Sequence, residues 1–259
     1  MGLRLLTGHD GFDFITGGLP VEGILNIWGK PSTGKTSIAR MIIREVSPFQ
    51  SIIAYGLDSS LFEQSGDYLQ MREPDYEKGL EACLDYLSAG HIVVIDELSV
   101  ILANSPVAGA PGRLIAHFLS EAKTAMSGSG GCLIITSQVR KDGGQYAYRR
   151  SVQEYVDTEV RLKQKEAISD PLGDRIGRWV LLHVAKNREL HPNVKGRILI
   201  RVQRKQHGLT SIDGLIDGGF LRGEVHIEGS WWKFMGVKAQ GRENLYQALQ
   251  EKFKPPRGS

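Results

Sequence analysis

Two cysteines in 259 residues leave little to build a disulfide framework from, and Cys83 in EACLDYL and Cys132 in GCLIIT sit among apolar residues without metal-ligand spacing. Both read as core thiols. No stretch of eighteen or more apolar residues occurs, so no membrane-spanning helix is expected. The opening MGLRLLTGHDGFDF lacks the long apolar segment of a signal peptide, which makes the cytoplasm the expected location. Internal repeats and low-complexity segments are missing too. Positive charge is scarce early in the chain: residues 1 to 100 carry seven Lys/Arg against fourteen Asp/Glu, leaving 25 against 15 for the remainder. A composition of 41% hydrophobic and 24% charged residues is ordinary for a globular protein with a sizeable core.

Short apolar, β-branched runs recur at Ile24 to Trp28, Ser51 to Tyr55, Ile92 to Ile95 and Cys132 to Thr136. Each is too short and continuous for a surface helix and reads as a buried parallel strand. Between them, Thr36 to Val46, Tyr76 to Leu87 and Arg113 to Met126 place apolar residues on one helical stripe. Strands alternating with helices predict an α/β fold, a doubly wound and mostly parallel sheet. After Gln138 the texture becomes polar and basic. The pieces Thr158 to Lys163, Trp179 to Val184 and Ile198 to Val202 then read as antiparallel strands extending the sheet, with QKEAISDPLGDRIG as a loop between the first two. Glu243 to Phe253 patterns as a last helix, and the tail 254–259 is expected to be disordered.

The segment GKPSTGKT follows the first of these strands and opens a helix. Phosphate binding needs that order: glycines let the backbone wrap the anion, and several N–H groups converge on it at a helix N-terminus. The cradle comprises Gly29, Lys30, Pro31, Ser32, Thr33, Gly34, Lys35, Thr36 and Ser37. Lys35 would bridge the β and γ phosphates of ATP, and Thr36 would offer its hydroxyl to Mg2+. In HIVVIDEL, Asp96 ends a buried strand as the carboxylate that magnesium also requires. Glu97 and Asp58 are alternative bases for an attacking water, each with a plainer reading: a solvent-facing carboxylate for Glu97, and a helix N-cap for Asp58. Gln138, in LIITSQVR, stands at the carboxyl edge of the sheet, where it could sense the γ-phosphate. Beyond it Arg140, Lys141, Arg149 and Arg150 flank Tyr146 and Tyr148, a combination suited to single-stranded nucleic acid, whose phosphates the charges hold and whose bases the rings stack upon. An ordinary exposed loop is the plainer alternative.

From Thr7 to Leu249 these pieces resemble the RecA recombinase family. TGHDGFDFITGGLPVEGILNIWGKPSTGKT is similar to that family's approach to its Walker A loop, HIVVID to its Walker B strand, and SQVR to the segment before its mobile DNA-binding loop. VAKNRELHP is similar to a basic segment reaching a neighbouring subunit's nucleotide, and GSWWKFMGVKAQGRENLYQAL to the end of the ATPase core. The resemblance implies one RecA-like P-loop core over residues 1–253 and a DNA-dependent ATPase that uses ATP and Mg2+. It also implies a recombinase pairing single-stranded with homologous double-stranded DNA in a homo-oligomer or filament, with no membrane partner. It assigns Lys186 and Arg188 to the neighbouring subunit's γ-phosphate, and residues 103–112, with Arg113 beyond them, to a first DNA-contacting loop. The family's catalytic glutamate has no clear counterpart, so slow hydrolysis, or service by Glu97, is expected. Two other readings stay open: an accessory protein that binds ATP without exchanging strands, and a helicase-like motor.

Overall fold

The computed structural model describes residues 3–46, 50–56, 69–71, 76–98, 111–139, 146, 148–169, 175–202, 207–209, 216 and 224–252. Its centre is a nine-stranded sheet in the order β11-β10-β9-β8-β3-β7-β6-β4-β5. In chain order these strands are β3 (Gly23–Gly29), β4 (Ile52–Gly56), β5 (Leu69–Met71), β6 (Ile92–Asp96), β7 (Cys132–Gln138), β8 (Thr158–Ser169), β9 (Arg175–Asn187), β10 (Lys195–Val202) and β11 (His207–Leu209). A two-residue pair, β1 (Arg4–Leu5) with β2 (Leu19–Pro20), precedes them.

Every residue of β3 is buried, as its uninterrupted apolar run predicts for a central parallel strand. Two apolar layers form on the sheet's faces. One is built on Leu25, Ile27, Val160 and Leu162 together with helices α1 (Asp10–Thr16) and α2 (Lys35–Val46). The other joins Ile24, Trp28, Leu133 and Ile135 to α3 (Tyr76–Ser88), α4 (Pro111–Met126) and the short α5 (Arg149–Gln153). Cys83 and Cys132 are free and buried within these layers, where burial pushes both thiols up to about 12. A third apolar cluster packs α6 (Gly241–Lys252) on the sheet of β12 (His226–Glu228), β13 (Trp231–Phe234) and β14 (Val237–Gln240). Arg242 of α6 lies 4.3 Å over the Trp179 ring of the large sheet, and Arg197 covers the same ring at 5.3 Å. No described helix is long and apolar enough to cross a membrane.

Three expectations change. β8 pairs parallel with β3, and only β9, β10 and β11 extend the sheet in antiparallel fashion. The ladder between β8 and β9 runs on to Ser169 opposite Arg175, so most of the segment read as a loop is strand; its polar residues concealed a two-stranded extension whose pairing supplies what apolar alternation does not. Trp231, in the segment similar to the end of the ATPase core, would on its own be taken for a core aromatic, yet it is 46% exposed, with the Lys238 ammonium 5.3 Å above its ring.

Candidate functional site

The carboxyl ends of β3, β6 and β7 gather the expected phosphate machinery. Gly29 closes β3 opposite Gln138 of β7, and the Val139 N–H donates to the Gly29 carbonyl at 3.2 Å. The loop then turns through Ser32, at φ 59°, and Gly34, at φ 99°, into α2. Two positions demand glycine. A Cβ on Gly29 would stand 2.6 Å from the Thr33 hydroxyl and 2.9 Å from the Leu162 carbonyl, and one on Gly34 would stand 2.1 Å from Ile200 Cδ1.

Lys35 is nearly enclosed, with Nζ 3.4 Å from the carbonyl oxygens of both Gly29 and Lys30. Burial lowers its pKa, and the Glu97 and Asp96 carboxylates pull the other way. Such long contacts leave the ammonium's charge available to a stronger acceptor. The Thr36 hydroxyl donates to Asp96 Oδ2 at 2.7 Å, and the Thr136 hydroxyl donates to Asp96 Oδ1. Asp96 is thus fixed from both sides at the mouth of the loop. The donor set fits a nucleoside triphosphate with magnesium: backbone N–H groups and Lys35 for phosphate oxygens, and the Thr36 hydroxyl with one carboxylate for a hard cation that keeps phosphate and water among its ligands.

Residues 25–154, half of the chain, match the ATPase family associated with various cellular activities (AAA). The chain belongs to that family. Proteins named RecA are similar across nearly its whole length. One from Staphylococcus epidermidis is 26% identical over 262 residues, covering 91% of this chain and 74% of the relative. One from Staphylococcus aureus strain JH9 is 27% identical over 263 residues, with the same coverages. The fold and these likenesses make the core a RecA-like ATPase.

In this RecA-like ATPase the remaining candidates fall into two groups. Arg113, Tyr148, Arg149 and Arg150 share a neighbourhood, since a Cβ on Gly112 would stand 3.6 Å from the Tyr148 ring and 3.2 Å from the Ser151 hydroxyl. Arg113 and Arg150 are exposed, and Arg149 is partly covered. Tyr146 requires a correction: it is 1% exposed, with its ring centroid 5.2 Å from that of Trp28, so no face remains for a nucleic-acid base. An isolated antiparallel bridge pairs it with Val139, just beyond β7. Asp58, Arg140, Lys141 and residues 103–110 lie outside the described residues.

The second group stands back from the phosphate loop. Lys186 Nζ donates to the Gln153 carbonyl at 2.6 Å, and Arg188 donates to the Glu154 carbonyl at 2.8 Å while pairing with Asp157 Oδ1 at 3.1 Å. Asp157 also binds Lys123 and accepts the Ile24 N–H at 2.8 Å. Ile24 is five residues before Gly29 on the same strand, about 17 Å at the rise of a β-strand. Burial lowers the Lys186 pKa and repulsion by Arg188 lowers it further, against the pull of Asp157 and Glu159.

The sequence reading missed Thr136, Asn26 and Glu159. Asn26 and Glu159 are both fully buried and lie in register on adjacent strands. Polar residues inside otherwise apolar strands were the available signal.

Proposed function

We propose that this RecA-like ATPase is an ATP-dependent, single-strand DNA-binding recombinase, in which nucleotide held between subunits governs the grip on DNA and permits pairing with a homologous duplex. The observation carrying this reading is the place of Lys186 and Arg188. They cap the carbonyls at the end of α5, the helix that the basic segment leads into, and Arg188 sits toward the far edge of the sheet from its own phosphate loop. A cation there serves a nucleotide best when the loop belongs to another copy of the chain. The similarity to proteins named RecA over 91% of this chain supports the same reading.

Bound ATP with magnesium would supply a transferable phosphoryl group with its charge partly neutralised. Lys35 and the loop N–H groups would hold its phosphates, Thr36 and Asp96 would bind the metal, and Glu97 or Asp58 would orient water. Gln138, in register with Gly29 and leading directly into the basic segment, would report phosphate occupancy to that segment. Arg113, Arg140, Lys141, Tyr148, Arg149 and Arg150 would contact DNA.

The deciding measurement is the affinity of the purified chain for a fluorescent single-stranded oligonucleotide with and without ATP and magnesium, followed by joint-molecule formation with a homologous duplex. Tighter binding with nucleotide, together with joint molecules, is expected. Equal binding in both states defeats the reading, and nucleotide-dependent binding without joint molecules leaves the accessory role in its place.

A further inference from the structure

Resting on that reading, which gives Arg149 to nucleic acid and Lys186 to a neighbouring subunit's phosphates, one buried group is still unused. Glu159 of β8 is fully buried, with no ion pair and no close hydrogen bond on either carboxylate oxygen among the described residues; the Trp28 indole faces it as a looser donor. It lies in register with Asn26 on one side and Lys186 on the other. A register shift between Glu159 and Val160 breaks the ladder at this point. Val160 pairs with Val184 and Glu159 with Lys186, so Ala185 is the extra residue, and Lys186 leaves the face shared by Leu182 and Val184 for the side occupied by α5. The Asn26 amide nitrogen, Trp28 Nε1, the Tyr146 hydroxyl and Arg149 Nε are also buried without close hydrogen bonds among the described residues, Trp28 turned toward Glu159 and Tyr146 toward Asn26. Keeping a carboxylate in such a place is costly, and an amide or apolar side chain would be cheaper.

We propose that Glu159 is a positioning residue, the shared counter-charge that holds Arg149 and Lys186 inward in the resting protein and must be neutralised when both turn outward to phosphates. The neutralisation is one proton taken from solvent, forming a carboxyl O–H among Asn26, Trp28 and Tyr146. Neither cation forms a direct ion pair with Glu159, and Lys186 rests on the Gln153 carbonyl, so the attraction acts at longer range; in a medium of low dielectric it is still far stronger than water would allow, and both cannot depart and leave the carboxylate charged. Burial raises the Glu159 pKa, while Arg149, the Trp28 indole and Lys186 favour its charged form. Withdrawing the cations removes that opposition and raises the pKa further. Engagement therefore takes up a proton, and it weakens as pH rises above the resting pKa. The charged or titratable groups facing this site are Arg149 from α5, Lys186 from β9, Tyr146 beside β7 and Arg161 of β8, which covers the Trp28 ring at 4.9 Å, with Arg188, Asp157 and Lys123 of α4 acting on Lys186.

The test titrates a fluorescein-labelled oligothymidylate with the full chain from about pH 6 to about pH 8, in the presence of adenylyl-imidodiphosphate and magnesium. Wild type is expected to lose affinity as pH rises, by at most about tenfold per unit for one proton. Glu159→Gln, which has the shape of the neutral carboxyl, is expected to bind at least about threefold tighter than wild type at the upper end. Its profile should be flatter by the one-proton contribution, with a melting temperature no lower than wild type. A purely packing role would move neither slope nor affinity in this direction. A Glu159→Gln profile parallel to wild type overturns the inference while leaving the recombinase reading intact. Should that variant not fold, Arg149→Gln provides the second arm: it is expected to bind more weakly with a reduced slope, and an unreduced slope overturns the inference. Wild type that binds no oligonucleotide at any pH defeats the recombinase reading, and this inference with it.

Discussion

Asp96 accepts hydroxyl donors on both oxygens, from Thr36 at the start of α2 and from Thr136 in the next strand. The first hydroxyl would move to magnesium when nucleotide binds, and the second would stay as the contact that aims the carboxylate. Partners of this kind are typically worth 10–100-fold in metal affinity. Thr136→Val is therefore expected to raise the magnesium concentration that half-saturates ATP hydrolysis by about 10-fold, and Thr136→Ser to restore it. Unchanged magnesium dependence in the valine variant would reduce Thr136 to a packing role. Asp96, Lys35 and Thr36 were legible because a phosphate loop is a local pattern: strand, glycines and helix follow one another along the chain. Thr136 and Glu159 were not, because their partners come from strands that are distant in sequence and meet only through sheet order.

At the scale of elements, the antiparallel extension bears directly on the phosphate loop. Ile200 of β10 occupies the space where a Gly34 side chain would go, so the loop's curvature and the position of β10 constrain one another. Gly34→Ala would meet two separate costs. The backbone at φ 99° is strained for any side chain by about 1–3 kcal/mol, and the methyl group would collide with Ile200. Denaturant unfolding of the single variants and of the double variant with Ile200→Ala is expected to show recovery of the collision alone, leaving Gly34→Ala less stable by the backbone contribution even in the Ile200→Ala background. Full recovery would mean that φ carries no cost here. Short apolar runs revealed where most strands lie, yet simple alternation along β9 places Lys186 on the face of Leu182 and Val184. The extra residue at Ala185 reverses that assignment, and one-residue shifts in a ladder leave no mark in composition. The five residues of α5 are likewise too few for a helical stripe to be seen in sequence.

For the whole molecule, the issue is whether the site is complete within one chain. Arg188 is tied through Asp157 to the N–H of Ile24, at the opposite end of β3 from the phosphate loop, and Lys186 is tied to the end of α5. If these cations act on a neighbour's nucleotide, two inactive variants should complement each other. Lys35→Ala subunits keep the cation pair but lack a working loop, and subunits carrying Lys186→Ala with Arg188→Ala keep the loop but lack the pair. Each alone is expected to hydrolyse ATP poorly. An equal mixture makes about a quarter of head-to-tail interfaces carry one intact half from each parent, so about a quarter of wild-type activity should return on mixing and vanish on dilution below the assembly concentration. Measuring turnover against mixing ratio checks this directly. Activity that never exceeds the sum of the two parents, in mixtures shown by light scattering to assemble, would place the cation pair outside catalysis and require the ATPase site to be completed within a single chain.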